Sequence, residues 1–250
     1  MRTLISVLVV SGIVSIVNAA TIPTADTFNW TLYDDFADGT SYENWTRQGI
    51  SYNTSTYFGR YGQMVMRSYA TMDWNADAHW NASIPDEDVR GIKADISITN
   101  NEPYTPFGYG RNVVGVKIAP NLEIYMGFFS SGYTQNIQVG YRLDGQNVIP
   151  DGWSSQTAVF GQVYETAIVL DDSGRNLLFF LDNQLFEMVN IYPASIGVQT
   201  FFTETYLTWL QSDFAIDNFH VLTTPEPATL LLLGIGGLVI RRHALRGGVR

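Results

Sequence analysis

The stretch Thr71–Asn81 reads TMDWNADAHWN. Met72, Trp74, Ala76, Ala78 and Trp80 alternate with Thr71, Asp73, Asn75, Asp77, His79 and Asn81. In a strand, successive side chains point to opposite faces, so this period of two separates an apolar set from a polar set. The expectation is a strand with its alanines and tryptophans on a core. The same grammar recurs along the chain. Pro120-Asn121 separates VGVKIA from LEIYMGFF, and Asp144-Gly145 separates IQVGYRL from QNVI. Asp171-Asp172-Ser173-Gly174 separates YETAIVL from NLLFFL, and Asp182-Asn183 leads on into LFEMV. Such residues between short apolar runs are hairpin signals. No helical period of useful length occurs between residues 21 and 224. Strands at roughly 8–12-residue spacing predict an all-β antiparallel sandwich.

Composition fits that reading. The chain has 250 residues, 46% hydrophobic and 15% charged, with 22 Gly, 14 Phe and 14 Tyr. This is enough for one domain with a sizeable core plus terminal tags. The formal net charge is −10. Residues 1–20 and 225–250 hold five of the 14 bases and one of the 24 acids, which leaves the middle at −14. A domain so acidic repels nucleic acid and anionic membrane surfaces, so no nucleic-acid partner is expected. There is no cysteine, which excludes disulfides and thiolate metal sites.

The ends read as processing segments. Arg2 is followed by the apolar run Leu4–Val17 and then by Val17-Asn18-Ala19, with small residues placed for cleavage before Ala20. This is the pattern of a secretory signal peptide, over residues 1–19. Residues 21–222 are then the exported β-sandwich domain. After Thr223-Thr224 come Pro225-Glu226-Pro227, an apolar run at about 228–240, and Arg241-Arg242. As a helix that run is about 20 Å long against a hydrocarbon core of about 30 Å, a marginal span held by the arginines behind it. In order and position these residues resemble the PEP-CTERM sorting signal of exported proteins in Gram-negative bacteria. The resemblance implies processing by the membrane protease exosortase, a transient membrane anchor, and delivery to the cell surface or a polysaccharide-rich extracellular matrix such as a biofilm. Residues 223–250 are assigned to it.

The two ends of the domain carry a second resemblance. LYDDFADGTSYENW (Leu32–Trp45) near its start and SDFAIDNFHV (Ser212–Val221) near its end are similar to the terminal strands of the concanavalin-A-like jelly roll. NLLFFLDNQLF (Asn176–Phe186) resembles its central hairpin. Lectins, carbohydrate-binding modules and some glycoside hydrolases share that fold. The resemblance also implies a structural calcium where the first strand meets the last, and Asp34, Asp35, Asp38 and Asp217 lie in those stretches.

No catalytic pair is legible. Retaining hydrolases need two carboxylates about 5–5.5 Å apart, as E-x-D-x-x-E supplies on one strand face. No Glu between Glu43 and Glu204 has Asp at +2, and His79 and His220 stand alone. No G-x-S-x-G or H-E-x-x-H occurs. The expectation is a non-catalytic carbohydrate-binding module, with aromatic rings for sugar faces and Asn, Asp and Gln for hydroxyls. Trp153, in the loop-like NVIPDGWSSQT, and Tyr104, Phe107 and Tyr109, in NNEPYTPFGYGRN, are the candidates, because loops on a rigid sandwich are where binding resides. The alternatives are a structural surface protein without a small ligand, and a glycoside hydrolase whose site is assembled from distant residues.

Overall fold

The structure is a computed structural model. It describes residues 23–37, 41–50, 53–70, 76–83, 89–103, 108–131, 134–149, 152–171, 175–190, 200–208 and 210–223. Among these residues sixteen strands, numbered in chain order, form two sheets. One runs β14 (Gln184–Asn190), β13 (Asn176–Leu181), β12 (Val163–Leu170), β6 (Val89–Pro103), β16 (Leu210–Thr223), β4 (Gln63–Tyr69) and β3 (Thr54–Arg60), with β1 (Thr31–Asp34) paired to β16. The other runs β10 (Gln146–Val148), β9 (Thr134–Leu143), β8 (Leu122–Ser131), β7 (Tyr109–Ala119), β15 (Thr200–Thr208), β5 (Ala76–Ala82) and β2 (Trp45–Ile50), with β11 (Ser155–Thr157) paired to β9. We call these the first and second sheets. Every pairing is antiparallel. The architecture is therefore the antiparallel sandwich that the alternating stretches predict.

The turns follow their chemistry. Asp144 and Gly145 have φ of 49° and 80°, and Asp182 and Asn183 have 48° and 65°. Two residues with positive φ make the hairpin turn whose twist matches the flanking strands, and Asp, Asn and Gly tolerate it best. In β5, Ala76 and Ala78 are buried and Trp80 is half-buried against the main core, as the alternation requires. Between the sheets lie Met64, Met66, Ile96, Val114, Met126, Phe128, Val139, Phe179, Phe214 and Ile216, among others. Each such large side chain contributes about 1.5–3 kcal/mol by leaving water. The outer face of the first sheet is also apolar at Ala167, Val169, Leu178 and Phe180, and Ala25, Phe28 and Trp30 cover it.

The first strand meets the last: Thr31, Leu32 and Asp34 stand opposite Val221, His220 and Phe219. Asp34 organises the corner that follows. Its Oδ1 accepts from the Phe36 amide and the Ser41 hydroxyl, and its Oδ2 from Asn44 Nδ2 and Trp45 Nε1. These bonds hold Phe36 at φ 52° with its ring fully buried. Segment 1–19, read as a signal peptide, the first half of the alternating stretch with Met72 and Trp74, Asp38, and the tail with its apolar run lie outside the described residues. Among those described, no helix is long and apolar enough to cross a membrane, and the helical pieces are two 3-10 turns, Ala25–Thr27 and Ser41–Asn44.

Candidate functional site

The outer face of the second sheet carries the site. Register places Gly140, Tyr125, Gly115 and Phe202 side by side across β9, β8, β7 and β15. Rings and glycines alternate because each ring lies over a glycine. A Cβ on Gly115 would stand 2.5 Å from Phe202 Cζ, and one on Gly140 would stand 2.8 Å from Tyr125 Cε2. Glycine within a strand marks such a close approach. Tyr125, Phe202 and Val113 thus form a small buried cluster on the outer face, with Phe129 packed on it. Tyr125 and Phe129 stack at 6.0 Å and 29°.

A charged floor adjoins this cluster. Glu204 on β15 is 2% exposed. Its carboxylate accepts from Arg111 and, at 2.8 and 2.5 Å, from Arg142, while His79 Nδ1 lies 3.3 Å away. His79 stacks on Phe202 at 4.8 Å, and its Nε2 is 3.0 Å from Asn81 Oδ1. Burial would raise the Glu204 pKa, but the His79 hydrogen bond and the two arginines outweigh it and hold the group at about 2. Neighbouring Asp77 is pushed upward, first by burial and then by the Glu204 charge. Burial also pushes the Tyr125 phenol up to about 12, so its hydroxyl remains a donor, 3.1 Å from the Tyr141 carbonyl and from Asn147 Oδ1. Arg142 ties Glu204 to Glu123 at 2.8 Å. The floor is a rigid, internally neutralised network.

Beside it opens a groove of about 530 Å³. Tyr109, Phe129 and Tyr206 supply aromatic surface, and the fully buried Tyr125 lies behind them. Arg111 sits between rings, its guanidinium 4.8 Å from the Tyr206 centroid and 5.6 Å from that of Tyr125. Asn136, Gln138, Asn147 and Thr134 supply neutral polar groups, and none of the described lining residues is Asp or Glu. The volume falls in the usual range for small-ligand sites.

Comparison with known proteins bears on both the tail and the domain. Residues 223–244 match the PEP-CTERM protein-sorting motif. That match implies an exported protein. A search of curated protein sequences finds no match. Among solved structures, the chain is similar to a Crh5 transglycosylase in complex with NAG (TM-score 0.53, 6% identity, covering 82% of this chain and 87% of that one). It is similar to the alginate lyase AlgAT5 of polysaccharide lyase family 7 (0.52, 12%, 78% and 100%). It is also similar to SCLam, a non-specific endo-β-1,3(4)-glucanase of family GH16 (0.51, 9%, 81% and 93%). At these identities the likeness is one of fold: the domain is a concanavalin-A-like jelly roll.

On this jelly roll the sequence-predicted residues scatter. Tyr109 opens β7, is 50% exposed and lines the groove. Tyr104 and Phe107 lie outside the described residues, as do the motif residues Pro225, Glu226, Pro227, Arg241 and Arg242. Trp153 is half-buried on the main core, tilted against Tyr141 at 5.9 Å. Among the calcium candidates, each Asp34 oxygen accepts two donors. Asp35 Oδ1 accepts from the Ala37 amide and Asp217 Oδ1 from the Asn218 amide. Among the described residues no three His, Asp or Glu stand together as metal ligands would. His79, alone in the sequence, is in fact one of the groups on Glu204. Sequence reasoning missed Tyr125, Phe129, Tyr206, Arg111 and Glu204. The available signal was the mid-strand glycine of VVGVKI, IYMGFF and IQVGYR.

Proposed function

We propose that this is an exported protein, held briefly in the membrane by its tail, cut there by an exosortase-type enzyme, and retained at the cell surface or matrix. Its groove binds a neutral polysaccharide without cleaving it. The observation that carries this reading is the groove itself: three aromatic side chains, Tyr109, Phe129 and Tyr206, beside a neutral polar wall, on a sheet face backed by glycine contacts and an ion network. Stacking of rings on sugar C–H faces suits the first, and hydroxyl recognition suits the second. The similar solved structures include a glucanase and a transglycosylase in complex with NAG, which supports a carbohydrate ligand by analogy of fold.

The absence of catalysis is inferred from the floor. A general acid or base works best with a pKa near the operating pH. Glu204 is held far below that, Tyr125 far above it, and both His79 nitrogens face oxygens. Among the described residues Asp77 is the one carboxyl pushed toward its protonated form, and Glu204 beside it is engaged by two arginines and a histidine rather than poised for attack.

The test is affinity electrophoresis of the full chain, in detergent, through gels cast with neutral polysaccharides. Retardation is expected, with loss in Tyr109→Ala and Tyr206→Ala and little change in Trp153→Ala. Each stacking contact is worth about 0.5–1.5 kcal/mol by analogy with aromatic pairs, so single sites are weak and retention relies on many sites along a polymer. Retardation that survives both tyrosine variants places the site elsewhere. New reducing ends after prolonged incubation would make the protein a hydrolase.

A further inference from the structure

A second cleft, of about 400 Å³, opens where the edges of the two sheets meet at β2 and β3. It is separate from the groove. In the second sheet β5 and β15 stand between β2 and β7, and the cleft is lined by Ala78 and Trp80, on the opposite face of β5 from His79. Its aromatic wall is fixed in place. Trp80 Nε1 donates to Thr56 Oγ1 at 3.0 Å, and Phe58 packs edge-on against the indole at 5.1 Å and 81°. Tyr42 stands at the cleft, 55% exposed. Thr54 Oγ1, also in the lining, is buried and has no hydrogen-bond partner.

The charge at this edge is of an unusual kind for so acidic a domain. Arg67 is spent on Asp213, Lys93 on Glu165, and Arg111 and Arg142 on Glu204. Arg47 instead lies over the Trp80 ring, 5.8 Å from its centroid, and Arg60 lies over Tyr57 and Tyr61 at 4.8 and 5.4 Å. A guanidinium on a ring keeps its fork of donors for a carboxylate, which it binds in two parallel hydrogen bonds. Arg47 lines the cleft.

We infer that the β2–β3 cleft is a second glycan site, which takes one carboxylate-bearing sugar ring. Arg47 holds the carboxylate, Trp80 and Tyr42 hold the ring, and Thr54 and Ser55 meet its hydroxyls. Arg47 presents its donors at this edge, with Glu43 accepting from the Tyr42 hydroxyl at 3.4 Å, whereas the described lining of the groove carries no uncompensated charge.

The probes are methyl β-D-glucuronide and methyl β-D-glucoside, presented to the full chain in a detergent without sugar. Saturation-transfer NMR reads binding. The glucuronide is expected to bind at least about tenfold more tightly than the glucoside, because hydrogen bonds to charged groups contribute about 1.5–3 kcal/mol. Arg47→Gln should remove most of that preference, and added salt should weaken it. Tyr42→Ala should weaken both sugars. Both side chains are exposed, so neither variant threatens the fold. Arg60→Gln and the groove variant Tyr109→Ala should leave glucuronide binding unchanged, which separates this site from the groove. Equal affinity for the two sugars, no binding of the glucuronide, or a preference untouched by Arg47→Gln would each overturn the assignment.

Discussion

Glu204 illustrates how a single residue organises the sheet face. Its charge is compensated from three strands, by Arg111 on β7, Arg142 on β9 and His79 on β5. Replacing it with glutamine keeps the shape but leaves Arg111 without its anion and Arg142 with Glu123 alone. Breaking a buried pair in this way costs about 3–5 kcal/mol. Glu204→Gln should therefore lower the urea midpoint strongly, with no change in slope. The native pKa lies below the ordinary carboxylate value of 4.5. The stabilisation is thus fully present above about pH 4.5 and is lost as pH falls toward 2, where the folded state must also take up the proton. Acid unfolding curves of the natural chain should show this loss, and those of Glu204→Gln should be flatter over the same window. None of this network is legible in the sequence. Glu204 and His79 become neighbours only because β15 pairs with β5, and nothing local in TFFTETYLT or ADAHWNA specifies that pairing.

At the scale of elements, the reading is better where chemistry is local. The turns at Asp144-Gly145 and Asp182-Asn183 follow from residue type alone, as does the alternation in β5. Sheet membership does not, because a strand's period says which residues share a face but not which strand lies alongside. Two glycines on neighbouring elements separate the two kinds of information. Gly145 has φ 80° and open space where a Cβ would go. Gly145→Ala should cost only the left-handed backbone penalty, about 1–2 kcal/mol, and leave glycan binding intact. Gly140 carries no such turn. A Cβ there meets Tyr125 Cε2 at 2.8 Å and the Val148 carbonyl at 3.2 Å. Gly140→Ala should shift the Tyr125 ring and so weaken polysaccharide retardation as well as stability. Thermal unfolding and affinity gels on the pair distinguish turn from floor.

For the whole molecule, the C-terminal sorting motif is the most legible part, because its signal is short and ordered. In a host with exosortase, mass spectrometry of the surface protein should find a mature C-terminus without residues up to Arg250, and deletion of 225–250 should release the domain to the medium. A surface protein still ending in Arg250 would make the tail a plain anchor. The groove resisted sequence reading for the opposite reason: it is assembled from β7, β8, β9, β10 and β15, and Trp153, conspicuous in the sequence, turned out to pack on Tyr141. The placement of β16 has a mechanical consequence. This strand ends at Thr223, where the sorting motif begins, so a tethered domain is held by the end of an interior strand. β16 is bonded to β6 on one side and to β4 on the other, with β1 along its last residues. If the groove holds a polymer as proposed and the tail tethers the domain, a pull on that polymer would load β16 from its end at Thr223. The hydrogen bonds on both flanks lie across the strand axis, so they are loaded together in shear and cannot be peeled open one at a time.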